Sequence, residues 1–364
     1  MAKRFHLLLF ALIAFVGSCV DRLPESPDAS KSNRLIVDGF ISNERGPYTV
    51  KLFRSRGVYT NLESPIPVIA KSVVIFADGT QEEPLKPISP GIYQTSEGFR
   101  GEIGRTYQLR IIDFEGNIFQ STEQRIHEAG AVDSIYYQYV PNVIIKDRPL
   151  SGFRVFFDSE AGVQSSAFFR WRYQGTYRVV SNPELRTKPN PENPEKPLPD
   201  PPGCAFSFSP DKLLCECCEC WITDAEEFPR VANLDFVSNG KFKEIELDFI
   251  PVTAATFYDK FRIEMKQQSL EKDAYEFWSQ VSTQITSSDD LFQPPGGQPP
   301  GNITHVNGEE VVEGLFYAAG VTSGSIYITR EEVRKYTQIP RFELKNDCRL
   351  LGRAVTDKPD FWED

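Results

Sequence analysis

From residue 34 onward the chain is a succession of short runs in which apolar and polar residues alternate, each cut off by glycine, proline, asparagine or aspartate. A period of two sends successive side chains to opposite faces of a strand, so the pattern admits half-buried sheets and excludes a helix bundle. Arg34–Ile41 alternates and leads into the turn Asn43–Pro47, and Tyr48–Arg54 alternates again. Ser72–Ala77 stops at Asp78-Gly79, a dipeptide that tolerates the positive φ of a two-residue hairpin turn. Gly91–Thr95, Thr106–Ile112 and Ile118–Ser121 follow. Strands of this length and spacing predict a sandwich over residues 34–128, immunoglobulin-like or transthyretin-like.

A second, larger β-rich domain is expected over residues 129–364. Ser134–Val140, Gly152–Phe157, Ala167–Tyr173, Gly175–Val180, Lys243–Phe249 and Tyr258–Met265 read as strands, and Gly314–Ala319 with Gly324–Arg330 as a closing hairpin. Between them, residues 181–203 lose periodicity in a proline-rich, polyproline-like excursion, and a cysteine-rich stretch runs to Cys220. One helix is predicted, over Ser269–Gln284, where Leu270, Ala274, Phe277, Trp278 and Val281 recur at helical spacing and Ser269 would cap the N-terminus. Its aromatics read as core. The composition agrees: 27 Phe, 14 Tyr, 27 Pro and 24 Gly stand against two Met.

The first 33 residues carry a different signal. Lys3-Arg4 is followed by the apolar run Phe5–Val16, interrupted only by His6, and then by Gly17-Ser18-Cys19. About 12 apolar residues are too few for a hydrocarbon core of roughly 30 Å and suit the h-region of a signal peptide. Val16-Gly17-Ser18-Cys19 resembles a lipobox, so residues 1–18 are expected to be cleaved and Cys19 to be the lipidated first mature residue, with membrane attachment through its acyl chains. The polar, proline-containing residues 19–33 read as a flexible tether. The alternative is an ordinary secreted chain whose Cys19 is incidental. Cleavage removes Lys3 and Arg4, taking the formal charge from −11 to −13. An acidic surface argues against nucleic acid as a partner.

After Cys19 six cysteines remain: Cys204, Cys215, Cys217, Cys218, Cys220 and Cys348. In an oxidising envelope an even number favours disulfides, and six allow fifteen pairings. Cys348 is expected to reach back to the cluster and staple the tail. The other reading is a thiolate metal site in Cys215-Glu-Cys-Cys-Glu-Cys220, where no histidine lies nearby.

No constellation for catalysis stands out. The sequence lacks Gly-x-Ser-x-Gly, His-Glu-x-x-His and a phosphate loop. His127 falls at a domain junction and His305 in a loop. Asp289-Asp290 and Glu309-Glu310 read as loop charges, with a calcium site as the sharper alternative.

The lipobox, Leu35–Ser42, Gly46–Leu52, Phe99–Leu109, Asp133–Tyr137, Cys220-Trp221, Tyr275–Trp278, Leu291-Phe292, Pro300–Ile303, Cys348 and Pro359–Trp362, in that order, resemble the Bacteroidetes lipoproteins classed as domain-of-unknown-function 4249. The packed Cys-Glu-Cys-Cys-Glu-Cys departs from the pattern around Cys-Trp. The resemblance implies no reaction, no catalytic residue and no cofactor. It implies an accessory lipoprotein of the outer membrane working beside a TonB-dependent β-barrel transporter. Two further functions stay open: a structural or assembly lipoprotein of the envelope, and a hydrolase built on carboxylates.

Overall fold

The computed structural model describes residues 33–56, 65–145, 147–182, 185–199, 206–209, 212–215, 218–226, 228–287, 299–341 and 343–363. Among them the chain is mainly β, with several sheets and one notable helix. The predicted alternation is realised in Leu35–Ser42, whose Leu35, Val37 and Ile41 are buried, while Asp38 between them is exposed. Ser72–Ala77 and Thr80–Pro84 form the expected hairpin, with Asp78 and Gly79 both at positive φ.

Two sheets close over a first core. Leu35, Val37, Ile41, Val50 and Leu52 of one sheet face Val73, Ile75, Tyr107, Leu109, Ile111 and Phe119 of the other. Each fully buried aliphatic side chain stabilises this sandwich by roughly 1.5–3 kcal/mol.

Residues 34–128 do not complete that sandwich alone. Leu35–Ser42 pairs in parallel with Glu313–Thr329, from Ile36 opposite Glu313 to Ser42 opposite Ala319. Ile303–His305 adds an edge strand beside Ile118–Ser121, and Ile303, Val312 and Phe316 join the first core. The expected boundary at 128/129 therefore marks only where the chain first leaves the sandwich. Alternation specifies which face of a strand is buried, but not which strand lies beside it.

The expected closing hairpin is also replaced. Glu313–Thr329 is one continuous 17-residue strand. Its first part completes the first sandwich, and its second part, Gly320–Thr329, pairs antiparallel with Lys260–Leu270. The crossing point needs glycine: a Cβ on Gly320 would lie 1.8 Å from the carbonyl oxygen of His127. Ala167–Tyr173 and Gly175–Val180 likewise merge into one strand, Phe168–Val180.

The second layer pair is built on this same 11-stranded sheet. A three-stranded sheet of Ala131–Ile145, Arg148–Glu160 and Lys241–Pro251 packs against it, and Phe153, Val155, Phe157, Leu247 and Ile250 meet Trp171, Tyr173, Phe261, Ile263 and Met265. Gln267, buried at this junction, accepts from Trp171 Nε1 at 2.7 Å and donates to the carbonyls of Ala129 and Glu160.

The helix occupies Lys272–Ser287 on the opposite face of the large sheet. Ser269 is not its cap. It belongs to the strand Lys260–Leu270, opposite Phe169 and Gly320, and its hydroxyl accepts from the Ser166 amide. Strand pairing on both sides outcompetes the local capping preference. Ala274, Phe277 and Trp278 pack with Leu270, Leu315 and Tyr317, as core aromatics should.

Candidate ligand-binding cleft

Between residues of the two layers of the second sandwich lies a cleft of about 840 Å³, a size typical of sites for small ligands. One wall is the middle of Phe168–Val180, whose period of two aims Tyr173, Gly175 and Tyr177 at the facing sheet. Gly175 leaves room for its neighbours: a Cβ there would lie 2.3 Å from the Tyr173 hydroxyl and 2.4 Å from Phe261 Cζ. The Tyr177 ring stacks on Phe261 with centroids 5.7 Å apart. Phe249, Ile250 and Leu150 form the other wall.

Charge gathers at the cleft. Asp224, Glu226 and Asp248 line it, as do Arg230 and Arg353. Glu226 is committed to the wall. Its carboxylate accepts from Arg170 Nη2 and Arg172 Nε, each at 3.1 Å, and from the Tyr173 amide at 3.2 Å. Arg170 is itself buried. It donates to the Tyr317 hydroxyl at 3.1 Å and lies 3.6 Å from the centroid of the Trp278 ring. The helix and the cleft wall are thereby locked through one guanidinium. Arg230 donates to the Glu246 carbonyl, and Arg353 approaches Asp224 at 3.5 Å.

Neither the Tyr173 nor the Tyr177 hydroxyl has a hydrogen-bond partner among the described residues. Both hydroxyls face the cleft and are free to bond with a ligand that enters it. Burial, then the nearby Asp224, pushes the Tyr177 hydroxyl up to about 12. Burial, then Asp248 and Asp224, holds that of Tyr173 well above its ordinary value. Both therefore remain neutral at physiological pH.

The cysteine expectations are met in part. Cys220 and Cys348 form a disulfide, which fixes the tail as expected. Cys218 is also disulfide-bonded, so neither it nor Cys220 is a thiolate free for metal. Cys215 ends the strand Lys212–Cys215. Cys19, Cys204, Cys217, Phe292 and Asp289-Asp290 lie outside the described residues. Among the described residues no group of three or more His, Cys, Asp or Glu is placed to hold a metal ion. Glu310, half of the candidate calcium pair, is bound by Arg54 and the Leu35 amide. His127 pairs with Glu271 at 2.8 Å, and His305 packs on Phe119 with ring centroids 4.6 Å apart.

Sequence reasoning passed over Tyr173, Tyr177 and Asp224. Tyr173 and Tyr177 read as ordinary strand positions, and the one available signal was Gly175 between two aromatic positions on the same face.

The family model described as Domain of unknown function (DUF4249) matches residues 21–325. The chain belongs to this family. The match takes in the first sandwich's core residues, most of the second sandwich, the helix and the cleft-lining residues other than Arg353. No curated protein and no solved structure matches the chain.

Proposed function

We propose that this member of the family is an outer-membrane lipoprotein, held by acyl chains on Cys19, that acts without enzymatic activity as a binding accessory of a TonB-dependent transporter. The observation that carries the reading is the cleft, with two tyrosine hydroxyls held on one sheet strand rather than on loops. Rigid strands preorganise a recess, which lowers the ordering cost of binding. The leader and lipobox supply the tether, and the polar residues 19–33 supply the reach. Purification from detergent-solubilised outer membranes tests the partnership. A β-barrel transporter is expected to co-purify, and recovery of the chain alone would defeat the accessory role. Replacing Cys19 by Ala should abolish palmitate labelling and release the protein from the membrane fraction.

A hydrolase reading draws on Asp224, Glu226 and Asp248 in the cleft. The clamping of Glu226 by Arg170 and Arg172 removes one carboxylate from acid–base duty. Turnover of a substrate that is lost on replacing Asp224 or Asp248 by Asn would establish it.

A further inference from the structure

Gly175 gives the cleft its most defined point. A Cβ there would collide with both the Tyr173 hydroxyl and Phe261 Cζ, so the hydroxyl and the ring edge meet side by side above this glycine. The Tyr177 ring stacks on Phe261 with the two planes 14° apart. Phe228 and Phe249 line the same recess. Tyr173 is only 4 % exposed, yet its hydroxyl donates to nothing among the described residues. A hydroxyl held on a strand beside aromatic rings, neutral and without a partner, is a donor for a ligand oxygen.

The charged groups of the cleft are already engaged. Glu226 is held by Arg170, Arg172 and the Tyr173 amide. Asp224 lies 3.5 Å from Arg353, and Asp248 Oδ1 accepts from the Phe249 amide at 2.9 Å. Arg230 Nε donates to the Glu246 carbonyl at 3.0 Å. A cation entering the cleft therefore competes with guanidinium groups already in place, and an anion meets Asp224 and Asp248. A charged ligand group that leaves water with no free opposite charge to receive it loses its hydration uncompensated. An uncharged ligand avoids that loss.

We infer that the cleft binds an uncharged aromatic ligand bearing a carbonyl, its ring against the Phe261 and Tyr177 pair and its carbonyl oxygen accepting from the Tyr173 hydroxyl. This rests on reading the chain as a binding module and names the chemistry of what it binds.

Calorimetric titration of the mature chain with 3-phenylpropanamide, 3-phenylpropanoate and 3-phenylpropylammonium compares neutral, anionic and cationic forms of one aromatic skeleton, and 4-methylpentanamide removes the ring. The neutral aromatic amide is expected to bind at least fivefold more tightly than each of the others. Tyr173→Phe keeps the ring and removes a hydroxyl that holds nothing in the fold. It should leave the melting temperature nearly unchanged and weaken the aromatic amide roughly five- to tenfold, as the loss of one neutral hydrogen bond does. Tyr336→Phe, at an exposed position outside the cleft, should leave the affinity as it was. Should Tyr173→Phe fold poorly, the four probes on the unaltered chain still decide. Tighter binding of a charged form, equal binding of 4-methylpentanamide, or full affinity in a folded Tyr173→Phe variant would overturn the inference. So would the absence of binding by all four probes, while co-purification of a transporter would still judge the accessory role by itself. If the aromatic amide binds as expected but no transporter co-purifies, the aromatic site stands and the accessory role falls.

Discussion

Cys220 and Cys348 are joined across a sequence separation of 128 residues, with Cα atoms 5.9 Å apart. Cys220 sits in a strand of the large sheet, and Cys348 opens the short turn of 3-10 helix that leads to the tail. Beyond it, Ala354-Val355 pairs with the strand of Cys220, Phe361 lies over Arg262 and Trp362 is buried beside Tyr327. In the chain-entropy account a loop of this length gives a stabilisation of about 4–5 kcal/mol. Replacing both cysteines by Ser should lower the urea unfolding free energy by that order and expose Trp362 to quenchers. A double-Ser variant as stable as the parent would show that tail packing alone suffices.

Arg170 is a buried cation bound to Glu226, Tyr317 and the face of Trp278. Removing Arg170 leaves Glu226 with Arg172 and the Tyr173 amide but takes one charge-assisted bond from it and the partner from the Tyr317 hydroxyl. Arg170→Ala is therefore expected to cost about 1.5–3 kcal/mol. Arg178→Ala, which breaks surface pairs with Glu219 and Asp259, should cost less than about 1 kcal/mol. Equilibrium denaturation of the two variants side by side gives the comparison.

Gly320→Ala places a methyl group 1.8 Å from the His127 carbonyl oxygen, a backbone atom that cannot rotate aside. The expected loss is about 3 kcal/mol or outright failure to fold. Gly352→Ala, with nothing within 4 Å of the added carbon, should leave the melting temperature nearly unchanged. Soluble yield and thermal unfolding distinguish them.

Alkaline pH should destabilise the second sandwich through its tyrosines. The folded-state pKa of Tyr177 lies at about 12, against an ordinary 10.0. The native state then binds more protons than the unfolded state in this interval. The contribution is full below pH 10 and is lost as pH rises towards 12. Tyr177→Phe should flatten the fall of stability with pH between those limits, measured by denaturant titration at stepped pH.

The local elements were largely legible in the sequence. Leu35–Ser42 declared its buried face, and Asp78-Gly79 declared a hairpin because positive φ is available to few residues. The partners were less so. Nothing in Ile36–Ser42 announces a parallel neighbour at Glu313–Ala319, because strand pairing is set by backbone hydrogen bonds that every residue type offers alike. Ser269 shows the reverse error: a good capping residue was absorbed into a strand flanked on both sides. The cleft was hidden for a third reason. Tyr173 and Tyr177 are ordinary strand aromatics, and only the tertiary arrangement of residues from several strands shows that both line a cleft.

The strand Glu313–Thr329 also dictates the order in which the protein can mature. A polypeptide emerges N-terminus first from the ribosome or a translocation channel. Leu35–Ser42 therefore appears some 270 residues ahead of the strand it must lie beside. Until that strand arrives, one edge of the first sheet stays bare and the first core lacks Phe316 and Ala318. Long-range pairing of this kind folds slowly and leaves strand edges open to wrong partners. Folding is thus post-synthetic for both halves at once, and a nascent chain halted near residue 128 would be a client for holding chaperones rather than a finished module.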